Sequence, residues 1–212
     1  MSSEAKFYSK REEAINIYSH ALGFLLSIPA LAVLTLKAVG TGDVFRIVSF
    51  VIYGSSLLIL YAASTIYHRQ QDPVKRRHLR VFDHAAIYVL IAGSYTPYTL
   101  VSLHGTTGWW MFGAIWIFAL VGIVLKIFFT GKYNLMSTLM YIFMGWMAVF
   151  VIKPLMANLA PEGLFWLAAG GIAYTVGAVL YSIKKIPFNH AIFHIFVLAG
   201  SACHFVSVYF YV

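Results

Sequence analysis

Charge is what this chain has least of. Only 10% of its 212 residues are Asp, Glu, Lys or Arg, where soluble domains carry roughly 25%. With 61% of residues hydrophobic, there is too little polar surface to cover a water-soluble fold, and the chain is an integral membrane protein. Acid is scarcer than base, with seven Asp and Glu against fifteen Lys and Arg, a formal net charge of +8. No soluble module gathers those bases, which excludes nucleic acid as a partner. A lone cysteine, Cys203, lies in an apolar run and excludes an intrachain disulfide. Linkers, low-complexity tracts and internal repeats are lacking too, which leaves one domain.

Long apolar runs are what the chain has instead, over 15–39, 44–67, 82–103, 108–129, 135–152, 163–183 and 190–212. Each is near the ~20 residues that cross a bilayer as a helix. The first exceeds the about 7–15 residues of a signal-peptide core, and Lys37 stands just before the faint cleavage signal at 38–40, so it is read as a retained helix. The predicted fold is all-α, a multi-pass bundle of seven transmembrane helices over 15–212, preceded by a short, frayed cytoplasmic tail over 1–14. Short connections make consecutive helices antiparallel neighbours. Twelve bases fall on one side of this arrangement: Lys6, Lys10, Arg11, Arg69, Lys75, Arg76, Arg77, Arg80, Lys126, Lys132, Lys184 and Lys185. Only Lys37, Arg46 and Lys153 fall on the other. Basic residues stay in the cytoplasm, so the N-terminus is expected inside and the C-terminus outside. The short tails suit a bacterial inner or plasma membrane. Nothing in the sequence speaks to oligomeric state.

On that topology the polar residues gather in one leaflet. Ser64 and His68 share a face at the end of the second helix, and Asp83 opens the third after a basic loop. His190 and His194 lie one turn apart at the start of the seventh, and Glu12, Asn16 and His20 form a stripe at the start of the first. Polar groups at the rim of an apolar bundle are costly unless they bind something. His68, His190 and His194 make a three-imidazole set suited to Zn2+, with Asp83 and Ser64 placed to hold or activate a water. The competing reading is that each histidine bonds a neighbouring helix or faces the head groups. Asp83 has a competing partner in Arg80. Pro29 and Pro97 are expected to kink their helices.

Taken together, GluGluXXAsnXXXHisXXXGly at 12–23, SerXXXHis at 64–68, PheAsp with GlySerTyrThrPro at 82–97 and HisXXXHis at 190–194 resemble the bacterial haemolysin-III branch of the progestin and adipoQ receptor family. The resemblance spans essentially the whole chain. It implies a seven-helix bundle with zinc near the cytoplasmic face on His68, His190 and His194, and Ser64 and Asp83 beside the zinc water. Glu12, Asn16 and His20 match the family's first motif as structural support, and His84, next to Asp83, is either a supporting donor or a packing residue. The short N-terminal tail departs from the eukaryotic receptors. Three functions follow as alternatives: a zinc-dependent hydrolase of a lipid amide or ester, similar to ceramidase-like relatives; a sensor or receptor with structural zinc; and a lytic or pore-forming protein. Against the last, no helix carries a polar stripe through the whole bilayer. Membrane lipid is the expected partner in each case.

Overall fold

The computed structural model describes residues 5–212; the first four residues of the expected tail lie outside the described residues. Among the described residues there are helices and turns and no strand. Helix α1 (Lys10–Thr41) starts earlier than its apolar run, because Ser9 caps it. The Ser9 hydroxyl accepts from the Glu12 backbone N–H at 3.2 Å, the Ser-x-x-Glu signature of a helix start. Gly42 then ends the helix at φ 69°, a left-handed conformation that glycine adopts without strain. Helix α2 (Val44–Arg69) begins on an Asp43 cap.

The expected basic loop after α2 is largely helix. Only Gln70–Asp72 separates α2 from α3 (Pro73–Pro97), which begins at Pro73 rather than at 82. Asp72 accepts from the N–H groups of Val74 and Lys75, and proline at the first helical position costs no bond there. Two prolines behave differently from each other. Pro29 stays within a continuous α1. Pro97 ends α3, and the chain widens into a π-helical turn over Tyr98–Ser102, a rearrangement that satisfies carbonyls freed by the proline.

Helix α4 (Gly105–Phe129) follows. The fifth crossing is broken: α5 (Asn134–Gly145), a 3-10 turn (Met147–Val151) and α6 (Ile152–Asn158) run together. Helices α7 (Pro161–Ser182) and α8 (Asn189–Tyr211) complete the bundle. Among the described residues, six segments are long and apolar enough to cross a membrane. Helix α3 is the seventh, 25 residues long, with basic first turns that dilute its hydropathy.

Packing is uneven, and the unevenness makes the site. Helix α2 is central, with Phe50, Tyr53, Leu57, Leu60 and Tyr61 in the core and half of its apolar window buried. It packs between α1 and α3, while α8 packs on α7 and α1. The 135–158 crossing is only 11% buried and touches α3, α4 and α7 loosely. A hollow of about 130 Å³ is left between α3, α5, α7 and α8. A second, of about 280 Å³, shares with it Ser94, Tyr95, Gly145, Trp146, Gly171 and His204.

Candidate metal centre

His68, His190 and His194 come together as the spacing predicts. One ring nitrogen of each lies within 4.8 Å of the others, and all three residues are buried. The His68 and His190 Nε2 atoms are 3.0 Å apart. Ligands at about 2.0–2.1 Å from a tetrahedral zinc would stand about 3.3 Å from one another, so the His68–His190 pair is already near the spacing a zinc ion requires.

For two of the three rings the surroundings fix which nitrogen points inward. His68 Nδ1 is 2.8 Å from Glu13 Oε2 and donates to it, leaving Nε2 for the centre. His194 Nδ1 donates to the Asn16 carbonyl at 3.3 Å, which likewise frees Nε2. His190 Nδ1 is buried without a partner. A ring N–H held by a carboxylate or carbonyl is the support that metal-binding imidazoles generally have. Zinc fits this donor set: three imidazoles that can be neutral, two of them oriented by a hydrogen bond at Nδ1.

Glu13 is the residue that sequence reasoning passes over. The i, i+4 stripe selects Glu12, Asn16 and His20, yet 13, 16 and 20 are also spaced for one helical face. Glu12 meets the helix cap through its backbone N–H, and one of its carboxylate oxygens is buried without a partner. Asn16 contributes its backbone carbonyl; its amide nitrogen lies 3.5 Å from His68 Nδ1, whose proton Glu13 takes. His20 stacks flat on His194, centroids 3.6 Å apart and planes 6° from parallel, with Tyr61 edge-on behind it. It packs against one ring of the cluster.

Arg76 was equally hidden among the basic residues. It is fully buried, pairs with Glu13, and donates to the carbonyls of His68 and Gln70 at 3.1 and 2.9 Å. Its Nε holds the Lys6 carbonyl at 2.8 Å. The segment before α1 is therefore packed rather than frayed. Tyr8 stacks on His190 at 4.6 Å and 10°, its backbone N–H donates to Glu13, and Phe7 covers the Arg76 guanidinium. Burial, and then the nearby Lys184 and Arg80 charges, lower the Lys6 pKa, while burial raises that of Tyr8 and keeps its phenol neutral.

Asp83 and Ser64 sit together on the wall of the smaller hollow, with His20, His190 and His194. Asp83 is 6% exposed. Ser64 lies alongside it, outside hydrogen-bond geometry, and its hydroxyl is buried without a partner. His84 Nε2 is 3.9 Å from the Asp83 carboxylate, too far for a hydrogen bond, and its Nδ1 is unpartnered. The rest of the wall is mostly apolar and aromatic, including Leu60, Ile87, Ile91, Tyr141, Tyr181 and Phe193.

An all-helical, multi-pass membrane protein with a buried three-histidine cluster beside an apolar hollow is the class that fold and site define. The chain belongs to the family described as "Haemolysin-III related", whose model matches residues 8–205. It is 46% identical to "Hemolysin-3" of Bacillus cereus over 202 residues, 95% of this chain and 92% of that one. Against "Hemolysin-3 homolog" of Bacillus subtilis (strain 168) it is 48% identical over 204 residues, 96% of both. "Monocyte to macrophage differentiation factor" of Homo sapiens is 31% identical over 208 residues, 94% of this chain and 84% of the relative. No solved structure matches the chain.

Proposed function

We propose that the chain is a zinc-dependent hydrolase of an amide or ester bond in a membrane lipid, working at the cytoplasmic rim of a bacterial inner or plasma membrane. One observation carries this reading. Two of the three histidines share a hollow with a carboxylate, Asp83, and a hydroxyl, Ser64, neither needed to build the cluster. Zinc on three histidines supplies a Lewis acid and a water that ionises near neutral pH. Asp83 would take the proton of the attacking water and hand it to the departing amine or alcohol as the acyl bond breaks. The unpartnered Ser64 hydroxyl would donate to the acyl oxygen as negative charge develops on it. The apolar wall would hold the acyl chain and keep bulk water out.

The test is turnover of ceramides and simple esters by purified, zinc-loaded protein. Asp83→Asn should retain the metal and lose about 10²–10⁴ in rate, the usual worth of a general base. Full zinc occupancy without turnover on any substrate would instead favour a sensor in which zinc ties α2 to α8. The deep burial of all three histidines, with Tyr8 stacked on His190, supports that second reading. Lysis, raised by the relatives' name, finds no polar stripe in either hollow to support a pore.

A further inference from the structure

Across the smaller hollow, one charged group has no role in the centre described above. Lys126 lies in the last turn of α4 and is 4% exposed, yet it lines the hollow. Its ammonium donates to Ser137 Oγ on α5 at 2.6 Å and lies 5.7 Å from the Tyr141 ring centroid. Both partners are neutral. Among the described residues no carboxylate is within ion-pair distance of it. Asp83 is within electrostatic reach, and so is the cationic Arg80, so the surrounding field gives little net compensation. Arg76, also buried, shows the usual arrangement, with Glu13 against its guanidinium. A buried cation without a counter-charge is expensive. In membrane proteins such groups pair with one another or with backbone carbonyls, line ion or proton paths, or serve as counter-ions to a bound ligand.

Beside Asp83, the His84 ring lines the same stretch of wall with an unpartnered, buried Nδ1. The Ser137 hydroxyl donates to the Tyr133 carbonyl at 3.0 Å, so its oxygen holds the Lys126 ammonium in place. From this hydrophilic corner the wall passes into the apolar faces of α3, α7 and α8, and on to the second hollow through Tyr95 and Trp146. A polar, cationic corner with an apolar extension matches an amphiphile carrying a single negative charge.

We propose that Lys126, with Ser137, forms a subsite for the anionic head group of a lipid, a carboxylate or a phosphodiester, whose acyl chain lies in the adjoining hollows. The subsite goes beyond hydrolysis and does not depend on it. Lysine is a compact point charge with three donors. One goes to Ser137, and the others are available to the oxygens of the head group. The ligand thus supplies the counter-charge that the protein does not.

Equilibrium binding to the purified, zinc-loaded protein in neutral detergent tests this without requiring turnover, so its failure is distinct from failure of the hydrolase reading. The probes are two pairs of equal acyl chain: palmitate against hexadecanol, and palmitoyl-lysophosphatidylglycerol against monopalmitoylglycerol. Lys126→Met should weaken at least one anion by about 10- to 100-fold, the range for losing a hydrogen bond to a charged group. Both neutral probes should bind as before, which also shows the fold intact. Lys126→Arg should restore part of the loss, and Ser137→Ala should weaken the same anion by a smaller factor. The pair that discriminates identifies the source: carboxylate if palmitate, phosphodiester if the lysolipid. Equal binding of all four probes by wild type and Lys126→Met would overturn the proposal. So would a loss shared by neutral and anionic probes, since Lys126 would then only tie α4 to α5.

Discussion

His68 and His194 are each held from behind by a hydrogen bond and Tyr8 stacks on His190, so the cluster rests on its supports as much as on its own rings. Replacing His190 or His194 with alanine should remove most of the bound zinc, and His104→Ala should leave it, as read by metal content of purified protein. Glu13→Gln should lower zinc affinity about 10–100-fold, the usual effect of losing a carboxylate behind a ligating histidine; affinity equal to wild type would assign the 2.8 Å contact a packing role. Arg76→Ala strands Glu13 without its cation and releases the Lys6 carbonyl. Breaking a buried pair typically costs about 3–5 kcal/mol, so the thermal midpoint should fall clearly. At this scale the histidine cluster was legible, and of the groups around it Asn16 and His20 were legible while Glu13 and Arg76 were not. His190 and His194 announce themselves by spacing. Glu13 shares its helical turn with an equally acidic neighbour, and Arg76 is one basic residue among several, so only packing tells them apart.

Helix α4 meets the π-helical turn at Gly108, where an added Cβ would come within 2.2 Å of the Thr99 carbonyl oxygen. That neighbour is backbone and cannot swing aside. Gly108→Ala should therefore destabilise by about 1–3 kcal/mol, the usual cost of overpacking. Gly113→Ala, with nothing near its Cβ, is the control on the same helix, and thermal unfolding in detergent compares the two. Element ends were half legible. The Asp72–Pro73 pair is a strong helix start, but a run of bases after it reads as loop because charge is usually taken for solvent exposure. Arg76 and Arg80 are buried all the same. The break in the fifth crossing had no such signal: no proline stands between Gly145 and Met147, and the 3-10 turn after Trp146 arises in a lightly packed segment.

For the whole molecule, the bias of bases toward one face predicts sidedness. In a Cys203→Ser background, cysteines at the exposed positions Lys75 and Lys184 should be labelled from the cytoplasmic side only, and one at Thr107 from the other. Labelling of all three from one side would mean that a crossing is miscounted. The multi-pass helical class was plain from composition, because burying so much apolar surface in water is impossible. The hollow was not, because it exists only where one crossing packs loosely against three others. The cluster also joins distant parts of the chain: His68 and His190 are 122 residues apart. During synthesis the membrane therefore holds a single ligand through most of translation, and the pair on α8 arrives afterwards. Any metal this cluster held would thereby report on completed assembly. A chain stopped after Ile183 should enter the membrane and yet hold no zinc, which would let a cell tell finished copies from stalled ones by their metal alone.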